Sequence, residues 1–405
     1  MIFYKTRRKI IKKIISIFQK PKFVKRFQKI DLFIYDDIFP HPISGFRYEE
    51  FKYLLSFFQK SKIFVEPLSY PALYTDVKVH QSHILDFKIR FPYLENKFIK
   101  KTKNVNLNSK LFYCVFLTNI YQNIDWLEKF KIPFVFTLYP GGGFEVYNEI
   151  SDLKLRRVLT SPQFKKVIVN QLYTKEYLLV NNFCNPNQIE FIFGCVVPQI
   201  SIKKEECFKQ YYPLKDTFDI VFCAAKYMPK GLDKGYDVFI EVAHKLVVKF
   251  DFIRFHVIGG FDKDEINVTK LEDKITFYGY QKFEDLAGIY EKMDVILSPN
   301  KPFFWGKGAF DGFPLGTVVE AVLNGVVAIV TDNLKQNSVF ENGKEIIITK
   351  DDIDSVQDEL EKLIENPQKI KDIALNGRRR FFEIYSNDYQ MNPRIQILKN
   401  EIENL

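Results

Sequence analysis

The chain has 405 residues, with 59 Lys+Arg against 50 Asp+Glu, a formal net charge of +9. Hydrophobic residues make up 46% and charged residues 27%, an ordinary globular balance that excludes a mostly disordered chain; the length predicts two domains, or three at most. The longest uncharged stretch, 14 residues at 111–124, falls short of the ~20 apolar residues a bilayer-spanning helix needs.

The charge is concentrated at one end. Residues 1–30 hold eleven Lys/Arg and no Asp/Glu, which leaves 48 basic and 50 acidic groups on the other 375 residues. A near-neutral body excludes a domain-wide nucleic-acid footprint, so no nucleic-acid partner is expected. Residues 9–18 have a helical pattern. Ile10, Ile11, Ile14, Ile15, Ile17 and Phe18 fall within an arc of about 160°, with Lys9, Lys12 and Lys13 opposite. Two readings stay open for this basic amphipathic arm: residues 5–29 dock on an anionic membrane surface, or the Ile face packs on the protein's own body. Five scattered cysteines (Cys114, Cys184, Cys195, Cys207, Cys223) read as reduced thiols of a cytoplasmic protein, peripheral at the inner membrane face if the arm binds lipid.

The body begins with a buried strand at 32–35, followed by Asp36-Asp37 and a loop ending Ser44-Gly45-Phe46-Arg47. A helix is predicted over 48–59 and a strand over 62–65; 67–108 shows no regular period. Next come a strand at 111–117, a helix through Phe130, and a strand at 134–138 that runs into Tyr139-Pro140-Gly141-Gly142-Gly143. Helices follow to about 180, with a strand at 166–169, and 190–197 closes this half as a strand. Continuous apolar strands alternating with helices predict a parallel sheet covered on both faces. Residues 199–216 are read as a linker. A second series has strands at 218–223, 252–258, 275–278, 294–297, 326–330 and 345–348, and helices at 235–249, 282–292, 316–323, 353–364 and 367–382. The predicted organisation is an arm (1–30), a first α/β domain (31–198), the linker, a second α/β domain (217–375) and a C-terminal helical segment (376–405). Ligands of such sheets sit beyond the C-terminal strand ends.

The most informative stretch is Gly308-Ala-Phe-Asp311-Gly312-Phe313-Pro314-Leu315-Gly316-Thr317-Val-Val-Glu320-Ala321. An acidic loop residue precedes a glycine turn that opens a helix. Unpaired N–H groups at a helix start favour phosphate. Gly312 and Gly316 let backbone approach a ligand, and Glu320, one turn in, is placed to accept hydrogen bonds from ribose hydroxyls. A second stretch, Cys223-Ala-Ala-Lys226-Tyr-Met-Pro-Lys230-Gly-Leu-Asp-Lys234-Gly235, puts three cations after one predicted strand end.

These motifs, in this order, resemble the C-terminal domain of retaining GT-B glycosyltransferases of family four over about 217–350. The family carries two Glu separated by seven residues; here Glu320-Ala321 matches the second half, while Asp311 replaces the first Glu and lies nine residues before Glu320 instead of eight. Lys234-Gly235 matches the family's diphosphate-binding Lys-Gly, and Lys226 stands where an Arg is usual, a cation with fewer directed donors. Gly259 and Gly279 fall where the family's chain borders the base. Ser44 and Gly45 correspond to its first loop, which touches the diphosphate, with Arg47 beside them to reach phosphate or acceptor. Gly141, Gly142 and Gly143 are placed at the cleft near acceptor or transferring sugar. Tyr139 occupies the position of a family His, so that contact is not carried over. The segment 381–397 resembles the helix that crosses back to the first domain, with Pro393 expected to end or kink it.

The resemblance implies a GT-B fold: two doubly wound Rossmann-like α/β domains facing a cleft. It implies a sugar moved from a nucleotide-sugar donor to a hydroxyl of a glycan or lipid-linked acceptor, with retention and with no cofactor or metal. In this reading Asp311, Lys234 and Lys226 act on the reacting groups; Glu320, Gly312, Phe313, Gly316, Thr317, Gly259, Gly279, Ser44 and Gly45 bind the donor. A sugar-nucleotide epimerase and a non-catalytic membrane-surface scaffold are the alternatives.

Overall fold

A computed structural model of the protein describes residues 22–24, 30–67, 77–99, 104–106, 108–199, 209–271 and 273–404. The arm helix expected over 9–18, and half of the linker (200–208), lie outside the described residues.

The strands are β1 (Lys22–Val24), β2 (Ile30–Asp36), β3 (Ser61–Val65), β4 (Asn104–Asn106), β5 (Ser109–Val115), β6 (Phe134–Leu138), β7 (Phe164–Val169) and β8 (Ile189–Phe191) in the first half. In the second half they are β9 (Phe218–Cys223), β10 (Ile253–Ile258), β11 (Ile275–Gly279), β12 (Val295–Ser298), β13 (Val327–Thr331) and β14 (Ile347–Thr349). Apart from a short parallel pair, β1 with β4, they form two six-stranded sheets, ordered β3-β2-β5-β6-β7-β8 and β11-β10-β9-β12-β13-β14. Every pairing in both is parallel. Parallel strands must be covered on both faces, and the apolar runs show it: all of β6, β9 and β13 is buried. The second sheet has the doubly wound order 3-2-1-4-5-6, whose switch point lies between β9 and β12; the first reverses between β2 and β5.

Three expectations are corrected. The segment 67–108, read as irregular, contains a helix, Val77–Arg90. Its β-branched and His residues have low helix propensity; packing of Phe87 and His80, both buried, holds it in place. The strand expected over 190–197 ends at Phe191. Beyond it Ile192 and Val196 enter the first domain's core while Phe193 and Val197 enter the second's, so this stretch joins the domains instead of pairing in a sheet. Pro393 neither ends nor starts a helix: it lies inside Asn387–Glu403. The break is at Ser386, whose hydroxyl accepts the Tyr389 N–H at 3.1 Å as an N-cap. There the chain crosses over. Phe381, Ile384 and Tyr385 pack in the second domain, and Met391, Ile395, Leu398 and Ile402 in the first.

Candidate active site

A cleft of about 1460 Å³, open to solvent, lies where the C-terminal strand ends of the two sheets meet, and both domains line it. Of the residues singled out from sequence, it gathers Lys234, Asp311, Gly312, Gly316, Thr317, Glu320, Gly259 and Gly45.

Lys234 precedes Gly235, which adopts φ +71° and N-caps the helix Tyr236–Lys249. A Cβ on Gly235 would stand 2.1 Å from the Pro299 carbonyl oxygen, so glycine is required there. The turn delivers Lys234, only 3% exposed, to an ion pair with Asp311, with Asp233 at 3.7 Å and the Tyr227 ring centroid at 4.7 Å. Burial opposes its charge, but Asp311, Tyr227 and Asp233 outweigh that, so its pKa stands above the ordinary lysine value.

The helix Gly316–Leu323 starts at the cleft. Its N-cap, Leu315, has no side-chain acceptor to offer the first N–H groups. The Thr317 hydroxyl donates to the Cys223 carbonyl at 2.8 Å and ties the helix start to the end of β9. One turn on, Glu320 is buried, and burial pushes its carboxyl up to about 8. Across the cleft, a Cβ on Gly45 would lie 3.6 Å from Glu320 Oε1 and 2.6 Å from Pro198 Cγ, so the first domain comes to Glu320 along bare backbone.

This carboxyl gives a pH signature. For an acid with a raised folded pKa, the folded state keeps a proton between ~4.3, the ordinary Glu value, and about 8, while the unfolded chain has lost it. Stability therefore falls as pH rises through that window. Glu320→Gln, neutral throughout, is expected to flatten the fall. Thermal midpoints should nearly coincide at about pH 5 and separate by several degrees in the variant's favour at about pH 8. Parallel curves would contradict a neutral Glu320.

Gly259 has φ +128°, and a Cβ there would stand 2.0 Å from the Ala224 carbonyl oxygen. Gly279 is one step removed: its carbonyl accepts the Gly259 N–H at 2.9 Å, and its successors Tyr280 and Gln281 line the cleft. Phe313 turns its ring into the second domain's core, while its N–H bonds Gln171.

Several other expected site residues lie outside the lining. Lys226 is drawn off by an ion pair with Glu265, which also accepts the Lys230 N–H at 3.0 Å. Arg47 is held by Asp36 at 3.2 Å and Asp37 at 2.5 Å, its guanidinium 4.5 Å from the Phe116 ring centroid. Two carboxylates at the end of β2 demand a cation, and Arg47 supplies it. Ser44 is buried as the N-cap residue of Gly45–Phe57. Gly141, Gly142 and Gly143 all take positive φ and wrap the start of the helix Leu117–Phe130; the Gly142 carbonyl accepts the Thr118 N–H at 2.9 Å.

Sequence reasoning passed over Asn170 and Gln171, which line the cleft just beyond β7. The available signal was a polar pair directly after an apolar strand. It also missed what Tyr139 does. Its ring lines the cleft, while its hydroxyl donates to Glu50 at 2.9 Å and accepts from Arg394 at 3.3 Å.

The family profile described as glycosyl transferases group 1 matches residues 206–380. No curated protein matches the chain in sequence. Among solved structures, Anabaena HepE superposes with a TM-score of 0.62 at 12% identity, over 93% of this chain and 100% of its own. A glycosyltransferase from Rickettsia africae gives 0.64 at 14%, over 94% and 100%. Sucrose-phosphate synthase from Thermosynechococcus elongatus gives 0.62 at 12%, over 93% and 100%. At these identities the likeness concerns the fold, two Rossmann-like α/β domains about a cleft in the GT-B arrangement.

Proposed function

We propose that this chain, whose residues 206–380 match the profile of glycosyl transferases group 1, moves a sugar from a nucleotide-sugar donor to a hydroxyl acceptor with retention of configuration, in the assembly of a cell-surface polysaccharide or glycolipid. The observation that carries the reading is the convergence of Lys234, Asp311, Glu320 and the uncapped helix start at Gly316-Thr317 in one cleft at the second sheet's switch point. HepE, which shares the fold, is solved with UDP and with UDP-glucose.

The donor diphosphate sits against Lys234 and the N–H groups of the helix start. These hold the negative charge that grows on the leaving diphosphate, the form of electrostatic stabilisation suited to a departing anion. Glu320 takes the ribose hydroxyls. Asp311, which pairs with Lys234, turns to the transferring sugar once phosphate meets that ammonium. The acceptor attacks from the leaving group's face, and the departing phosphate takes the acceptor's proton, so no side chain is needed as general base.

A thermal-shift panel of UDP, GDP, ADP and their hexose derivatives tests the donor reading. One nucleotide series is expected to raise the melting temperature by several degrees at saturating ligand. No shift with any of them removes the reading. NMR of the product's anomeric proton then decides retention.

The acceptor side of the proposal places the enzyme at lipid through residues 5–29. Each basic group near an anionic surface contributes about 1 kcal/mol, and residues 1–30 hold eleven. Deleting residues 1–29 is expected to weaken binding to phosphatidylglycerol vesicles by at least ~10²-fold in a sedimentation assay. Equal binding by the truncated and full chains would end the membrane assignment and leave the donor cleft untouched.

A further inference from the structure

β7 ends at Val169, so Asn170 and Gln171 leave the first sheet at its C-terminal edge, on the cleft. Gln171 is 1% exposed. Its Oε1 accepts the Phe313 N–H at 3.0 Å, across 142 positions of chain and from one domain to the other. Its Nε2 lies 3.2 Å from where a Cβ on Gly312 would stand, so the amide is packed along the turn's backbone. A first-domain side chain thus holds the main chain of the second-domain turn that begins at Asp311.

Asn170 is placed differently. It is 3% exposed, and its backbone carbonyl accepts the Gly194 N–H at 3.2 Å. Its Oδ1 has no hydrogen-bond partner among the described residues. A buried amide oxygen without a donor destabilises the free protein, so a ligand that brings a donor binds the more strongly. The ligand class richest in such donors is a sugar, and the cleft that Asn170 lines is the one that holds Asp311 and Gly312.

We propose that Asn170 and Gln171 read the transferring sugar: Asn170 Oδ1 accepts a hydrogen bond from one of its hydroxyls, and Gln171 is a positioning residue that sets the Gly312–Phe313 backbone against it. This rests on the donor cleft argued above and adds the element that discriminates among sugars. A buried acceptor built for a hydroxyl rejects a sugar that lacks it, because the acceptor is then left unpaired.

Calorimetry on the full-length protein tests this with UDP, GDP, ADP, UDP-glucose, UDP-N-acetylglucosamine, GDP-mannose and ADP-glucose as probes. The variants are Asn170→Leu, isosteric without an acceptor, and Asn170→Ala, which removes bulk as well. Both should bind the sugar nucleotide preferred by the wild type at least tenfold more weakly, yet bind the matching free diphosphate within twofold of wild type. Gln171→Leu should show the same split and faster deuterium exchange in the 310–315 peptide, whereas Gln171→Glu, which keeps an acceptor for the Phe313 N–H, should retain slow exchange. Unchanged sugar-nucleotide affinity in both Asn170 variants overturns the proposal, as does an equal loss of diphosphate affinity. A wild type that binds none of the seven probes overturns the donor cleft itself, so the two failures are read separately.

Discussion

Lys234→Ala is expected to lower sugar transfer by ~10² or more, the effect of removing one directed donor worth about 2.7 kcal/mol from a developing anion. The geometry makes the loss larger than that of a surface cation. Lys234 is almost fully buried and lies between Asp311, Asp233 and the Tyr227 ring. Its removal leaves two carboxylates near the path of a diphosphate, so repulsion adds to the lost attraction. Lys226→Ala is the internal control. Its ammonium belongs to Glu265, and transfer should stay within about threefold of wild type. The measurement is initial rate of transfer at saturating donor. Equal losses in the two variants would mean that the cleft geometry does not describe the reacting complex.

The largest expected change in stability comes from Arg394→Met. Arg394 sits on the helix Asn387–Glu403, fully buried against the first domain. It bonds the Gln390 carbonyl at 2.5 Å, Gln390 Oε1 at 3.0 Å and the Tyr139 hydroxyl at 3.3 Å. Tyr139 and Tyr113 both donate to Glu50, which is also fully buried. Burial opposes the Arg394 charge, and the electrostatic pull of Tyr139, Glu50 and Tyr113 sustains it. Methionine fills the space but removes the cation that acts on the buried Glu50 through Tyr139, and taking one charge out of a buried network of this kind costs about 3–5 kcal/mol. The thermal midpoint should drop by roughly 6 °C or more. Adding Glu50→Gln to the Met variant removes the stranded carboxylate and should restore at least about 1 kcal/mol. A double variant no more stable than the single one would show that packing, not charge, is what Arg394 supplies.

The second domain's share of the cleft lining was largely legible because its parts are local. Lys234-Gly235, Gly312 and the run from Gly316 to Glu320 are each a turn joined to a helix start, and a turn's chemistry is written in four or five consecutive residues. Phe134–Leu138 and Phe218–Cys223 were equally plain, since strands buried on both faces read as unbroken apolar runs. The availability of charged and loop residues was harder to read. Arg47 and Lys226 looked like free cations, and only the folded chain reveals the carboxylates that claim them, Asp36 and Asp37 for one and Glu265 for the other. Gly141, Gly142 and Gly143 read as a loop facing the cleft, and only the folded chain shows Gly142 packed against Phe116 and Gly143 against Thr118.

Composition, apolar periodicity and turn residues by themselves determined that this chain builds two parallel-sheet domains and where the turns that line its cleft lie, because those properties depend on neighbours in sequence. Only the tertiary structure decided which charged groups face the cleft and that Asn170 and Gln171 join them. A side chain's availability depends on partners tens or hundreds of residues away. Gln171 meets Phe313 across 142 positions and Tyr139 meets Arg394 across 255, and no local pattern encodes either meeting.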